Sequence, residues 1–73
     1  MVALMVMKTK YVIEQRQDGF VICKRYPNGF RSLVAIFKPR PDGSIDRIYS
    51  VQSPMLMKFD NLQSVKTYYG IED

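Results

Sequence analysis

Side chains that commonly carry out catalysis or bind metal ions are sparse in this chain of 73 residues. It contains no histidine, which excludes imidazole acid–base catalysis, catalytic triads that need it, and metal sites with histidine ligands. Asp18 and Asp42 lie in predicted turns, Asp60 is expected to cap a helix, and Asp46 is expected to form an ion pair with Lys38. Glu14 is then the only carboxylate in the middle of a predicted strand, and a surface ion pair explains it. We expect no enzymatic activity, no metal site and no cofactor.

Basic and aromatic residues cluster around one predicted hairpin. Its members are Lys24, Arg25, Tyr26, Phe30 and Arg31, with Lys10 and Arg16 on the neighbouring strand. On a sheet, such cations neutralise phosphates while rings and guanidinium groups stack unpaired bases. In the alternative interpretation, Tyr26 and Phe30 are core residues and the cations are solvated side-chain ends. The candidate nucleic-acid-binding residues are Lys10, Arg16, Lys24, Arg25 and Arg31.

Three glycine-containing turns divide residues 8–52 into four strand-like runs. These are KTKYVIEQR (8–16), FVICKRY (20–26), FRSLVAIFK (30–38) and SIDRIYSVQ (44–52), all rich in β-branched and aromatic residues. The segments PNG (27–29) and PDG (41–43) suit three-residue hairpin loops, because proline fixes the first φ and glycine takes the left-handed third position. The segment QDG (17–19) fits that loop or a two-residue Asp-Gly turn. The two turns give pairings of the first and second strands that differ by one residue, and the sequence leaves both open.

With the Asp-Gly turn, the predicted sheet has two partly apolar faces. The first face carries Tyr11, Ile13, Phe20, Ile22, Tyr26, Phe30, Val34, Ile36 and Ile48, with Lys24 at its margin and Lys38 paired with Asp46. The second carries Val12, Val21, Cys23, Leu33, Ala35, Phe37, Ile45, Tyr49 and Val51, interspersed with Lys10, Glu14, Arg16, Arg25, Arg31 and Arg47. A sheet with one face in water should instead alternate cleanly between apolar and polar residues. We therefore expect both faces to be covered.

One short helix is predicted to cover a single face. Asp60 is expected to be its N-cap and Gly70 to end it, and helical spacing directs three residues toward the sheet: Leu62, Val65 and Tyr69. The fold class is α+β, a four-stranded antiparallel meander over 8–52 with an optional edge strand, followed by an amphipathic helix over 60–69. All 73 residues are expected to form one small domain.

The apolar start MVALMVM (1–7) is too short to cross a bilayer, so no membrane association is expected. It is either an arm or edge strand that covers the second face, or translation starts at Met5 or Met7 rather than Met1. The single cysteine cannot form an internal disulfide, which favours a cytoplasmic location. The net charge of +4 tolerates an anionic partner without requiring one.

The order of elements resembles the small arm-type DNA-binding domains that precede phage integrases. The shared features are the DG and PNG turns and a helix that opens FDNLQSVKTYY (59–69), although this sequence has one strand more. The resemblance adds slightly to the case for nucleic-acid binding, and it does not assign the chain to that family.

Two functions remain on this evidence. The first is a non-enzymatic nucleic-acid-binding module that uses the basic sheet face around Arg25 and Arg31. The second, of nearly equal weight, is a protein-interaction module: a homodimer, or a small inhibitor or adaptor such as a mobile element carries. A homodimer is expected to pair through Val21, Leu33, Phe37 and Tyr49.

Overall fold

The computed structural model describes residues 10–71, so the expectations for 1–7 lie outside the described residues. Five strands and one helix follow in chain order: β1 (Lys10–Arg16), β2 (Gly19–Arg25), β3 (Arg31–Pro39), β4 (Ile45–Ser50), β5 (Met57–Phe59) and α1 (Leu62–Tyr69). The strands form one antiparallel sheet in the order β1-β2-β3-β4-β5. The predicted α+β meander with an extra edge strand and a C-terminal helix is confirmed.

The second and third turns have the predicted three-residue loops. In the second, the Tyr26 N–H donates to the Phe30 carbonyl at 2.9 Å and the Gly29 N–H donates to the Tyr26 carbonyl at 2.9 Å. Arg40 and Ser44 close the third turn in the same way, at 2.8 Å. The third loop residue, Gly29 in one turn and Gly43 in the other, has φ 94°, a left-handed conformation that glycine adopts without strain.

The first turn differs from both predicted forms. Arg16 pairs with Gly19, so the loop consists of Gln17 and Asp18 alone, and Gly19 is the first residue of β2. Gly19 does not have a positive φ. A Cβ at this position would instead overlap the carbonyl oxygen of Phe37 on β3. The residue is therefore glycine because β3 lies so close.

Two β-bulges alter the predicted faces. β3 has one extra residue, Val34, between the pairs Ile22–Ala35 and Cys23–Leu33. β4 has one extra residue, Ile48, between the pairs Ile36–Tyr49 and Phe37–Arg47. Each bulge reverses the alternation of the residues that follow it. The predicted faces are therefore wrong for several positions: Ala35, Phe37, Ile45 and Arg47 lie on the face that the helix covers, whereas Ile36, Lys38 and Asp46 lie on the opposite face.

The core lies between the sheet and α1. It consists of Phe20, Ile22, Val34, Ala35, Phe37, Ile45, Phe59 and Val65. At its centre the rings of Phe20 and Phe37 are stacked with centroids 4.9 Å apart, and Phe59 meets Phe37 edge-on at 6.0 Å. Such aromatic pairs add to the stability that their buried area provides.

The N-cap lies one residue later than predicted, and the helix starts at Leu62 rather than at residue 60. Asn61, rather than Asp60, is the N-cap, because its side-chain oxygen accepts the Ser64 N–H at 2.9 Å. Gly70 ends the helix in the left-handed conformation, as predicted, with φ 70°. Leu62 is 39% exposed, so the expectation that it packs fully on the sheet is wrong, whereas Val65 is completely buried. No helix within residues 10–71 is long and apolar enough to span a bilayer.

Candidate nucleic-acid interface

The sheet face opposite α1 is called the open face here, because no described helix or strand packs on it. Strand pairing places five sets of side chains on this face: Val12, Cys23 and Leu33; Glu14, Val21, Ile36 and Tyr49; Lys10, Arg25 and Arg31; Arg16; and Lys38, Asp46 and Lys58. The face therefore has an apolar centre with charged residues at both ends.

Three cations lie side by side at one end of the open face. Lys10 on β1 pairs with Arg25 on β2, and Arg25 pairs with Arg31 on β3. We call these three residues the cation row. Adjacent strands are about 5 Å apart, so the row presents three positive side chains across about 10 Å. Like charges directly opposite each other destabilise a sheet unless an anion compensates for them.

One carboxylate partly compensates for the cation row. Glu14 Oε2 forms an ion pair with Arg31 Nη1. Glu14 Oε1 forms a second ion pair with Arg16 Nη2, at 3.1 Å. The surface ion pair expected of Glu14, with Arg16 and Arg25 as its nearby cations, forms with Arg16, whereas Arg31 takes the place of Arg25. Lys10 and Arg25 are exposed and have no ion-pair partner among residues 10–71.

The other end of the open face carries a second group of charges. Asp46 accepts a hydrogen bond from Arg40 Nε at 2.7 Å, and this bond raises the pKa of the arginine. Lys38 is the cross-strand neighbour of Asp46, as predicted, and Lys58 is its neighbour on β5. The ion-pair partner of Asp46 is Arg40, which closes the third turn, rather than the predicted Lys38.

Four of the five sequence-predicted site residues lie together on the open face: Lys10, Arg16, Arg25 and Arg31. The fifth, Lys24, lies on the helix-covered face, where its ammonium is 6.0 Å from the centroid of the Tyr11 ring. Sequence reasoning missed Lys38 because the bulge at Val34 has no residue signature that reveals the change of face. It missed Lys58 because the optional edge strand was given no register.

The apolar centre of the open face is partly accessible. Leu33 is 40% and Tyr49 is 48% exposed, while Val21 and Cys23 are buried. Burial is the largest cause that raises the pKa of the Cys23 thiol, and the Glu14 carboxylate adds to it. A groove of about 420 Å³ runs beside this centre, and its lining includes Arg16, Val21, Ile36, Lys38 and Ile48. The face is thus amphipathic, with cations around a narrow apolar strip.

The aromatic residues of the second hairpin are not both core residues. Phe30 is 71% exposed beside the turn, and Tyr26 is half-buried. The interpretation that places both rings in the core is therefore wrong for Phe30.

Within residues 10–71, no three His, Cys, Asp or Glu side chains are close enough to hold a metal ion together. Comparison of the chain with protein-family models, with curated proteins and with solved structures finds no match.

Proposed function

We propose that the chain is a non-enzymatic module that binds the phosphate backbone of a nucleic-acid duplex through its open face. The observation that carries this proposal is the cation row. Three adjacent strands each contribute one cation, and only Arg31 has a carboxylate partner among the described residues. Phosphates that bind along the row would neutralise Lys10 and Arg25 and compete with Glu14 for Arg31.

A duplex fits the open face better than a single strand does. Proteins that bind single strands stack several bases on aromatic side chains. Among the residues assigned to the open face by pairing, Tyr49 is the only aromatic one. A two-stranded β-ribbon fits the major groove of B-DNA, which is about 12 Å wide. The hairpin of β2 and β3, with Arg25 and Arg31 at the base of its turn, would enter such a groove together with its neighbour β1, and the cation row on these three strands is about 10 Å across.

The charges also favour nucleic acid over a second copy of the chain. A symmetric dimer through the open face would bring two cation rows and two groups of basic residues toward each other. Phe37, expected to join such a dimer contact, is 1% exposed in the core and cannot reach a partner. Of the remaining expected dimer residues, Val21 is buried as well.

The proposal is tested by fluorescence anisotropy with labelled duplex DNA, duplex RNA and single strands at about 50 mM salt, where phosphate contacts are strong. We expect the wild type to bind a duplex more tightly than a single strand. The double variant Lys10→Ala/Arg25→Ala should bind roughly tenfold more weakly per lost phosphate contact. The matched control Lys24→Ala/Lys66→Ala removes the same charge away from the open face and should change the affinity much less.

Circular dichroism and the urea midpoint of each variant show whether its fold is intact. Equal losses of affinity in the two double variants would show that only total charge matters. Absence of binding to any of the nucleic acids would overturn the proposal and favour the protein-interaction alternative.

A further inference from the structure

A buried arginine lies on the other side of the sheet, away from the open face. Arg47 on β4 is 4% exposed and belongs to the helix-covered face. Its Nη1 donates to the Tyr69 hydroxyl at 3.0 Å, and its Nη2 donates to the Met55 carbonyl at 3.3 Å. Its Nε is buried and has no hydrogen-bond partner among residues 10–71. Within this described part of the chain, a side chain with five N–H donors thus has two bonds, both to neutral oxygens.

No carboxylate among residues 10–71 forms an ion pair with Arg47. The guanidinium group carries a positive charge. A buried charge without an anionic partner destabilises the fold, and proteins normally pair such a charge. The structure therefore has a buried positive charge that an external anion can compensate for.

Arg47 lines a cleft of about 320 Å³ between the sheet edge and α1. The other lining residues are Ser50, Gln52, Ser53, Met55, Met57 and Tyr68. The Ser50 hydroxyl oxygen accepts the Gln52 N–H and the Ser53 hydroxyl oxygen accepts the Met55 N–H, at 3.3 and 3.2 Å. Neither hydroxyl donates a hydrogen bond to another of residues 10–71, so both hydroxyl hydrogens can turn toward a ligand. The cleft therefore combines polar donors and a guanidinium with two methionine side chains and a tyrosine ring.

We propose that this cleft binds a small organic carboxylate with an apolar body. The Nε–H and the Nη2 group lie along one edge of the guanidinium, and an edge of this kind matches the two oxygens of a carboxylate. Met55, Met57 and Tyr68 supply apolar walls, and methionine side chains adapt readily to the shape of a ligand. The volume is at the small end of the range for ligand pockets, about 300–1,000 Å³. This site is separate from the open face, so the inference does not depend on nucleic-acid binding.

Benzoate is a suitable probe, with benzamide as its uncharged counterpart and inorganic phosphate as a test for any anion. Titration of the full chain, followed by NMR of methionine methyl groups, should show saturable shifts of Met55 and Met57 with benzoate at a Kd of about 1 mM, as expected for so small a ligand. Benzamide should bind at least tenfold more weakly. Phosphate that binds as tightly as benzoate would overturn the assignment to a carboxylate.

Two variants locate the site. Arg47→Met retains an apolar stem of similar length and should abolish the benzoate shifts. Gln52→Glu introduces a carboxylate at the exposed rim of the cleft and should weaken binding about tenfold by competing for Arg47. Its control, Gln63→Glu, adds the same charge on an exposed position of α1 outside the cleft and should leave binding unchanged. If Arg47→Met fails to fold, the comparison of Gln52→Glu with Gln63→Glu still tests the inference. Equal binding by these two variants would overturn the inference.

Discussion

The carboxylate of Glu14 on β1 forms an ion pair with the guanidinium of Arg31 on β3, across the intervening strand β2. Glu14 is the more buried partner, at 19% side-chain exposure, whereas Arg31 is 54% exposed. The same carboxylate also holds Arg16. Glu14 therefore fixes two arginines on the open face and at the same time competes with any phosphate that approaches them.

Replacing Glu14 by glutamine should strengthen nucleic-acid binding. The change releases Arg16 and Arg31 from their ion pairs and removes a negative charge from the open face. Because exposed ion pairs contribute little, the free energy of unfolding should fall by less than about 1 kcal/mol. Duplex affinity at about 50 mM salt should rise several-fold, and the plot of log affinity against log salt should become steeper by up to about one unit per newly engaged phosphate.

Asp18→Asn is the matched control for that substitution, because it removes one negative charge from an exposed turn that forms no ion pair with the rest of residues 10–71. An equal gain of affinity in both variants would show that Glu14 does not restrain the arginines.

Substitution of Gly19 by alanine should destabilise the fold strongly. The new Cβ would overlap the Phe37 carbonyl oxygen, and backbone on a neighbouring strand cannot move away easily. We expect a loss of about 2–4 kcal/mol, since overpacking against backbone is costly. Urea denaturation measures this loss.

Gly29→Ala gives the contrasting case. Gly29 has φ 94° and open space around its Cα, so alanine there introduces backbone strain without a clash and should cost about 1–2 kcal/mol. If Gly29→Ala proved the more damaging of the two, the close approach of β2 and β3 at Gly19 would be disproved.

The parts of the fold that local chemistry determines were predictable. The segments PNG and PDG determine their hairpins because proline and glycine have restricted or unusual φ values, and both turns are as predicted. The bulges at Val34 and Ile48 have no such local signal, since a bulge depends on how two strands fit across the sheet. The predicted faces therefore hold near the second turn, fail from Ala35 to Arg47 between the two bulges, and hold again at Tyr49.

The same reasoning explains which site residues were predictable. The cation row could be found because the second turn fixes the pairing of Arg25 with Arg31. Lys38 and Arg47 were assigned to the wrong faces because both come after a bulge. The burial of Arg47 depends on its contacts with α1 and with the segment before β5. Residues distant in the sequence determine where these two segments lie.

Val65→Ala should destabilise the protein more than Leu62→Ala, although leucine loses more atoms. Val65 is completely buried in the core, whereas Leu62 is 39% exposed at the start of α1. Loss of the buried methyl groups should cost about 1.5–3 kcal/mol. The exposed leucine should cost less than about 1 kcal/mol, as a surface change does. Urea denaturation of both variants provides the comparison, and the reverse order would show that α1 packs through Leu62.

The stability of the protein should fall at alkaline pH through Cys23. Burial raises the pKa of its thiol in the folded state, whereas the unfolded thiol has an ordinary pKa of about 8.5. Above about pH 8.5 the unfolded chain loses this proton first, which favours unfolding. The contribution of the protonated Cys23 thiol to stability is therefore complete below the thiol pKa of the unfolded chain. It is lost as the pH rises through the thiol pKa of the folded protein.

Measurement of the unfolding free energy from pH 7 to pH 10 tests this dependence. The wild type should lose more stability over that range than Cys23→Ala, in which the thiol is absent. Parallel curves for the two proteins would contradict a buried, protonated thiol.

NMR of the arginine side chains during titration with a DNA duplex tests most directly whether the open face binds nucleic acid. Arg25 and Arg31 in the cation row, with Arg16 beside them, should show large, saturable shifts. The buried Arg47 on the opposite side is an internal control and should remain unchanged. Neutralisation of three phosphates by the row predicts an affinity that falls with salt at a log–log slope of about −3. Shifts confined to Arg47 or to α1, or an affinity independent of salt, would contradict binding through the open face.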